Sequence, residues 1–133
     1  MSDGRNEMVV GFPGGKRVAA SYNGFAIHTD QSEKSGGEAS APEPFDLFLA
    51  SLATCAGFYV LRFCENRDIS MEGLRLVQSW RRNEERKIVG IDLRIELPEG
   101  FPDKYRAAVV RAAEQCSVKR VLHDPPETTI QAV

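Results

Sequence analysis

The sequence predicts an α+β fold in which an antiparallel sheet surrounds one long, buried central helix. Residues 47–61 carry no charge, and their large apolar side chains fall on every side of a helical wheel, as in a buried helix. The segments before and after this run alternate between apolar and polar residues, with turn signals between them. Hairpins of this kind favour an antiparallel sheet over regular βαβ alternation. The length of 133 residues predicts a single domain over residues 1–133.

The N-terminal segment predicts three short strands followed by a loop. An apolar run at residues 8–12 ends at Pro13-Gly14-Gly15, and two further runs lie on either side of Asn23-Gly24. Asn-Gly is a strong hairpin signal because both turn residues need a positive φ. Residues 31–41 are rich in Gly, Ser and Glu without periodicity, which indicates a mobile loop that leads to the central helix.

The central helix is predicted to run from about Pro44 to Glu65. Pro44 suits the first turn, since its missing N–H would have no helical partner there, and Asp46 places a carboxylate near the positive end of the helix dipole. The uncharged run is shorter than the roughly 20 apolar residues that cross a bilayer. A helix of about 22 residues is about 33 Å long, which one small chain can hardly cover on every side. We therefore expect a homodimer.

Two longer strands, a second helix and a last strand are predicted beyond the central helix. Residues 74–80 alternate weakly, whereas residues 89–97 place aliphatic side chains on one face and polar ones on the other, as in a half-buried strand. From residue 103 to the cysteine at 116, apolar residues recur at helical spacing. Residues 117–122 predict one further helical turn, and residues 128–132 a last strand.

Composition excludes several classes of function. Seventeen basic and nineteen acidic residues give a net charge of −2, which offers no electrostatic basis for binding nucleic acid. The first twelve residues lack an apolar run of signal-peptide length, so we expect a cytoplasmic protein that does not bind a membrane. No CxxC pair is present, and His28 and His123 lack metal-ligand spacing with the three cysteines. We expect no metal and no cofactor.

The three cysteines differ in what they can reach. Cys55 and Cys64 lie nine residues apart on one helix, which is about 900° of rotation and about 13 Å of rise, so they cannot form a disulfide there. Cys55 and Cys116 lie on different helices, and their sulfurs can come within bonding reach if those helices pack about 8–10 Å apart. Cysteine is also a common apolar core residue, and this simpler interpretation stands for Cys64.

Two segments resemble the cysteine motifs of the OsmC/Ohr family. Residues 44–55, PFDLFLASLATC, are similar to the proline–acid–Leu-rich helix that leads into the family's first cysteine, and residues 116–122, CSVKRVL, to its second cysteine segment. Ser117 departs from the proline that is common after that cysteine. The resemblance spans nearly the whole chain and implies an OsmC-like fold, an intertwined homodimer, and thiol-dependent reduction of organic hydroperoxides or hydrogen peroxide in the oxidative stress response.

The resemblance also implies residue roles. Cys55 is the peroxidatic thiolate, whose sulfenic acid condenses with the resolving Cys116 to a disulfide that a cellular dithiol then reduces. The family supplies an arginine held by an acid near the first cysteine. Lys16 and Arg17 are its positional counterparts, and Arg17 is better suited to grip a carboxylate and a peroxide oxygen together. Asp46 stands at the place of one such acid, although nine residues before Cys55 it faces away in a straight helix.

The predicted substrate is a bulky organic hydroperoxide, because an apolar wall binds an alkyl tail and adds nothing for hydrogen peroxide. The residues expected to line this pocket beside the first cysteine are Phe48, Leu52, Phe58 and Tyr59. The alternative function is a dimeric, non-catalytic OsmC-like module whose apolar groove binds a small apolar ligand while the thiols remain passive.

Overall fold

The computed structural model describes residues 6–133, which form two compact units. The first unit ends at Leu49 and the second is Ala50–Val133; the single domain over residues 1–133 stays a prediction. The long helix α1, Pro44–Glu65, has the predicted bounds and contributes to both units. Residues 1–5, part of the segment that predicts no signal peptide, lie outside the described residues.

The first unit contains the predicted N-terminal hairpins as a three-stranded antiparallel sheet in chain order. Its strands are β1 Val9–Gly14, β2 Arg17–Tyr22 and β3 Phe25–Thr29. Asn23 and Gly24 join β2 to β3 with φ angles of 53° and 82°, so both residues adopt the positive φ that the Asn-Gly signal predicts.

The segment predicted as a mobile loop, residues 31–41, is held by hydrogen bonds to the buried carboxylate of Asp30. This carboxylate accepts hydrogen bonds from the Gln31 N–H at 2.7 Å and from the Ser40 hydroxyl at 2.6 Å and N–H at 3.0 Å. The Ser40 hydroxyl is the main cause of the lowered pKa of Asp30, which falls to about 2. At Gly37 a Cβ atom would overlap the Gln31 carbonyl, so this close approach needs glycine.

The second unit contains a two-stranded antiparallel hairpin and two short helices. These elements are β4 Arg75–Arg82, β5 Ile88–Glu96, α2 Arg106–Ala113 and α3 Ser117–His123. One face of the hairpin carries the ion pairs Arg75–Glu96 and Arg81–Asp92, whereas the aliphatic face packs on the core. The predicted α+β fold with antiparallel strands is therefore confirmed.

Buried residues of α1, the segment between β5 and α2, α2 itself and the α2–α3 junction form the core of the second unit. Its members are Ala56, Val60, Phe63, Cys64, Phe101, Val109, Ala113 and Cys116. Two of the three cysteines therefore lie in the core.

The second predicted helix ends earlier than its periodicity indicates. It stops at Ala113, and Cys116 has an extended ψ of 125° as the N-cap of α3. In this conformation the Cys116 sulfur accepts the Lys119 N–H at 3.5 Å. The prediction of one helix through Cys116 was wrong. The spacing of apolar residues shows which side chains share a buried face, and Cys116 stays on that face, but the spacing does not show that the backbone turns there.

The predicted last strand is also absent, since residues 125–133 form no strand. Alternation marks a chain that can present one apolar face, but a strand exists only when another strand supplies its hydrogen bonds. Ile130 is 96% exposed, so the segment does not bury its apolar side chains either.

Helix α1 is only partly covered by its own chain. Of an apolar stretch of 18 residues within α1, 33% is buried. Phe58, in the middle of the helix, is 52% exposed. By length and composition alone α1 could cross a membrane, although core helices of soluble proteins share that property. The predicted homodimer, in which a second copy covers this apolar surface, stays a prediction.

Candidate active site

The site is built where the middle of α1 meets the first turn of α3. The Cys55 sulfur on α1 lies 3.6 Å from the Ser117 hydroxyl oxygen. The backbone N–H groups of Ser117 and Val118 and the thiol of Cys116 act on the same sulfur as neutral donors that lower its pKa. Both cysteines are free thiols. The structure therefore brings two thiols from distant parts of the chain close enough for each to shift the pKa of the other.

Cys55 is the more acidic of these two thiols. Partial burial raises its pKa, but the Val118 N–H, the Cys116 thiol and the Ser117 hydroxyl and N–H favour the thiolate and lower the pKa from 9.0 to about 7. Of the two thiols, Cys55 is therefore the one that ionises near neutral pH. All the groups that lower this pKa are uncharged donors.

Cys116 has the opposite character. It is 1% exposed, and burial together with its hydrogen bond to Cys55 raises the pKa of its thiol. The sulfur also lies 3.8 Å from the Leu52 carbonyl oxygen, a second acceptor within reach of its single S–H proton. A thiol with a lowered pKa thus lies beside a thiol with a raised pKa.

Cys64 belongs to the core and not to this pair. Its side chain is fully buried, and burial raises the pKa of its thiol, although nearby Arg67 opposes the shift. This environment fits the interpretation of Cys64 as an apolar packing residue.

A cavity of about 660 Å³ opens beside the buried thiol in the second unit. Leu52 and Cys116 line it together with aliphatic side chains of β5 such as Leu93 and Ile95. Phe58 and Tyr59, which were predicted to line a pocket with Leu52, are not among its lining residues. The sequence favours the aromatic residues as pocket residues because their side chains are large. The cavity is instead lined by the aliphatic face of β5, and the regular alternation of that strand is the sequence pattern that could have predicted it.

A profile of the family described as OsmC-like protein matches residues 36–131, more than half of the chain. The chain belongs to the OsmC-like protein family. No curated protein sequence matches it significantly.

Solved structures show that the OsmC-like fold extends over most of the chain. A Psychrobacter arcticus protein named for osmotic stress induction and a detoxification response is 22% identical, with a TM-score of 0.72 and 85% of each chain covered. The OsmC-like protein of Mycoplasma pneumoniae is 15% identical, with a TM-score of 0.71 and coverage of 92% of this chain and 90% of that one. An organic hydroperoxide resistance protein from Legionella pneumophila is 20% identical, with a TM-score of 0.59 and coverage of 87% and 88%.

Four predicted site residues of this OsmC-like chain lie in the first unit. Lys16 is exposed in the turn between β1 and β2, and the Arg17 side chain donates from Nε to the Gly14 carbonyl at 3.1 Å. Asp46 accepts the Glu43 N–H at 3.1 Å in the first turn of α1, which is a capping interaction. The Phe48 ring lies 5.3 Å from that of Phe45. Their predicted roles beside Cys55 stay predictions.

The donors around Cys55 were missed in the sequence. In the sequence Ser117 stands out only as a departure from the family's common proline, yet it contributes a hydroxyl and an N–H, neither of which proline has. The donors of this short Cys-Ser-Val segment form no distinctive sequence pattern, so only the three-dimensional contact identifies them. Among the described residues, no three His, Cys, Asp or Glu side chains converge in the manner of metal ligands.

Proposed function

We propose that the protein is a thiol-dependent peroxidase that reduces organic hydroperoxides in the cytoplasm as part of the oxidative stress response. The observation that carries this proposal is the contact between Cys55, whose pKa is lowered to about 7, and the protonated thiol of Cys116. The Legionella pneumophila relative, named an organic hydroperoxide resistance protein, supports the same function.

In the proposed reaction the Cys55 thiolate attacks the terminal oxygen of ROOH. The O–O bond breaks, an S–O bond forms, and the departing alkoxide takes a proton from water to become ROH. Cys116 then attacks the Cys55 sulfur, the S–O bond breaks, and the hydroxyl group leaves as water with the thiol proton of Cys116. A cellular dithiol reduces the resulting disulfide by thiol–disulfide exchange.

The raised pKa of Cys116 suits this order of events. A thiol that stays protonated does not compete with Cys55 for the peroxide, because the thiolate is the nucleophile. We further propose that Arg17 or Lys16 assists the departing oxygen, with Asp46 as the acid that positions the cation, as the family resemblance implies. The pocket wall would include Leu52, which lines the cavity of about 660 Å³ beside Cys116, and a second copy of the chain would complete the homodimer.

Steady-state consumption of cumene hydroperoxide and hydrogen peroxide with a dithiol reductant tests this function. We expect a higher kcat/KM for cumene hydroperoxide, by more than about tenfold if about 100 Å² of the substrate's apolar surface is buried. Cys55→Ser should abolish turnover of both substrates, and Cys64→Ser is the matched control that should retain it. Loss of turnover in Cys64→Ser comparable to that in Cys55→Ser would contradict the assignment.

A second candidate is a non-catalytic module that binds a small apolar ligand. The cavity of about 660 Å³ beside Leu52 and Cys116 favours it, because the size and aliphatic lining suit a small apolar molecule. Native mass spectrometry of the purified protein distinguishes the two functions. A retained lipid or acyl ligand combined with a Cys55 that does not react with peroxide would favour the module.

A further inference from the structure

A second cavity, of about 330 Å³, lies on the second unit away from the two thiols of the proposed active site. Neither Cys55 nor Cys116 lines it. It is formed by the end of α1, the turn that follows, the end of α2, and α3. Its polar lining residues include Arg62, Arg67, Arg120, Asn66 and Gln115, and we call it the arginine cavity.

No acidic residue lines the arginine cavity. Among residues 6–133, none of its three guanidinium groups forms an ion pair with a carboxylate, in contrast to Arg75 and Arg81 on the hairpin. Glu65 and Asp68 flank Asn66 and Arg67 in the chain but do not line the cavity, and Glu114, next to Gln115, pairs with Lys119 at 3.8 Å. Three positive charges therefore converge on one concave surface without a compensating anion from the described chain.

Aromatic rings and an amide position these guanidinium groups. Arg67 lies 3.8 Å from the centroid of the Phe63 ring and donates to the Phe63 carbonyl at 3.2 Å. Arg62 lies 5.2 Å from the centroid of the Tyr59 ring. Arg120 donates to the Gln115 side-chain oxygen at 2.6 Å. Each arginine has five N–H donors, and these contacts use at most one per side chain, so most donors remain free for a ligand.

Interaction with the helix dipole explains only part of this arrangement. A basic residue in the last turn of α1 offsets the partial negative charge of about one half at that end, and Arg62 alone supplies a full charge. Arg67 donates to the Phe63 carbonyl at the same end of α1, and Arg120 lies in the last turn of α3, so each also offsets a helix dipole. Each nevertheless carries a full charge against a partial one of about one half. The remaining positive charge suits an external anion.

We propose that the arginine cavity binds a small organic phosphate ester. A phosphate monoester presents three terminal oxygens and nearly two negative charges, which suits several planar guanidinium forks at once. The cavity volume also leaves space for a small organic group, and the Tyr59 ring is the lining surface against which that group can pack. This site does not depend on the proposed peroxidase chemistry.

Isothermal titration calorimetry with phenyl phosphate at constant ionic strength tests the proposal. We expect saturable binding of one phenyl phosphate per chain, and weaker binding of inorganic phosphate because it lacks the organic group. Arg62→Gln and Arg120→Gln should each weaken binding at least about tenfold, since each removes charged hydrogen bonds to the ligand. The matched control is Arg111→Gln, an exposed arginine on α2 outside the cavity, which should bind like the unmodified protein.

The peroxide-inactive Cys55→Ser variant should bind phenyl phosphate unchanged, which separates this site from the proposed peroxidase function. Circular dichroism of each arginine variant shows whether the fold is retained. Absence of saturable binding, equal affinity for phenyl phosphate and inorganic phosphate, or equal weakening in Arg111→Gln would overturn the proposal. Binding only to anionic phospholipid vesicles, without binding of the soluble ester, would overturn it as well.

Discussion

Ser117 places its hydroxyl oxygen 3.6 Å from the sulfur of Cys55, although the two residues lie 62 positions apart in the chain. The contact joins the middle of α1 to the first turn of α3. Since Ser117 directly follows Cys116, the same turn positions a polar donor and the second thiol beside Cys55. The acidity of Cys55 thus depends on how α3 begins.

The rate of Cys55 alkylation by iodoacetamide should rise with pH around a midpoint of about 7, because the thiolate is the reactive form and the pKa of Cys55 is lowered to about 7. Ser117→Ala removes the hydroxyl donor and should move the midpoint upward. The rate is measured in Cys64→Ser protein, with Ser79→Ala on β4 as the control. An unchanged midpoint in Ser117→Ala would show that the hydroxyl does not stabilise the thiolate.

Replacement of Asp30 by Asn should lower the thermal unfolding midpoint by several degrees and change its acid dependence. The pKa of Asp30 is about 2 in the folded state, below its ordinary 3.8. A lowered pKa contributes stability that is fully present above about 3.8 and is lost as the pH falls through about 2. The thermal unfolding midpoint is therefore measured at several pH values from about 5 down to about 2, which covers the range in which this stability is lost.

Glu33→Gln is the control for Asp30→Asn, because Glu33 is an exposed acid in the same segment. Its acid dependence should follow that of the unmodified protein. If Asp30→Asn also follows it, the hydrogen bonds to Asp30 do not hold this segment in solution.

Cys116→Ser should stop the proposed reaction at the sulfenic acid. Cys55 remains able to attack the peroxide, but no thiol is available to resolve the oxidised sulfur. After one equivalent of cumene hydroperoxide, dimedone should label Cys55 in this variant, as measured by peptide mass spectrometry. The same treatment of Cys64→Ser should give no dimedone adduct, because Cys116 resolves the intermediate there.

Phe58→Glu should separate the proposed homodimer into monomers. Phe58 is 52% exposed on the uncharged part of α1, and a carboxylate buried in an apolar interface carries a large desolvation penalty. Sedimentation velocity at micromolar concentration measures the assembly, with Phe58→Leu as an apolar control that should remain dimeric. A folded monomer for the unmodified protein would contradict the predicted homodimer.

Elements defined by strong local signals were predictable from the sequence. Helix α1 has the bounds expected from Pro44 and the uncharged run, and Asn23-Gly24 forms the predicted turn. Features that depend on distant contacts were not predictable. The turn at Cys116 preserves the buried face and is invisible to periodicity, and the hydrogen bonds of Asp30 join residues up to ten positions apart in an irregular segment.

The candidate site follows the same division. Chain pattern and family resemblance singled out Cys55 and Cys116, whereas the donors that lower the pKa of Cys55 belong to α3 and carry no sequence signature. The three arginines of the arginine cavity are spread from residue 62 to residue 120, so no local cluster of charges in the sequence predicts that site. Such sites arise from tertiary packing of helices, which local patterns do not encode.

Intact-mass and peptide mass spectrometry after one equivalent of cumene hydroperoxide tests the central claim most directly. The proposed reaction predicts the loss of two hydrogen atoms per chain, a new disulfide between Cys55 and Cys116, and a Cys64 that remains reduced. Addition of a dithiol should restore the original mass. An unchanged mass, or oxidation confined to Cys64, would contradict the assignment of Cys55 as the peroxide-reactive thiol.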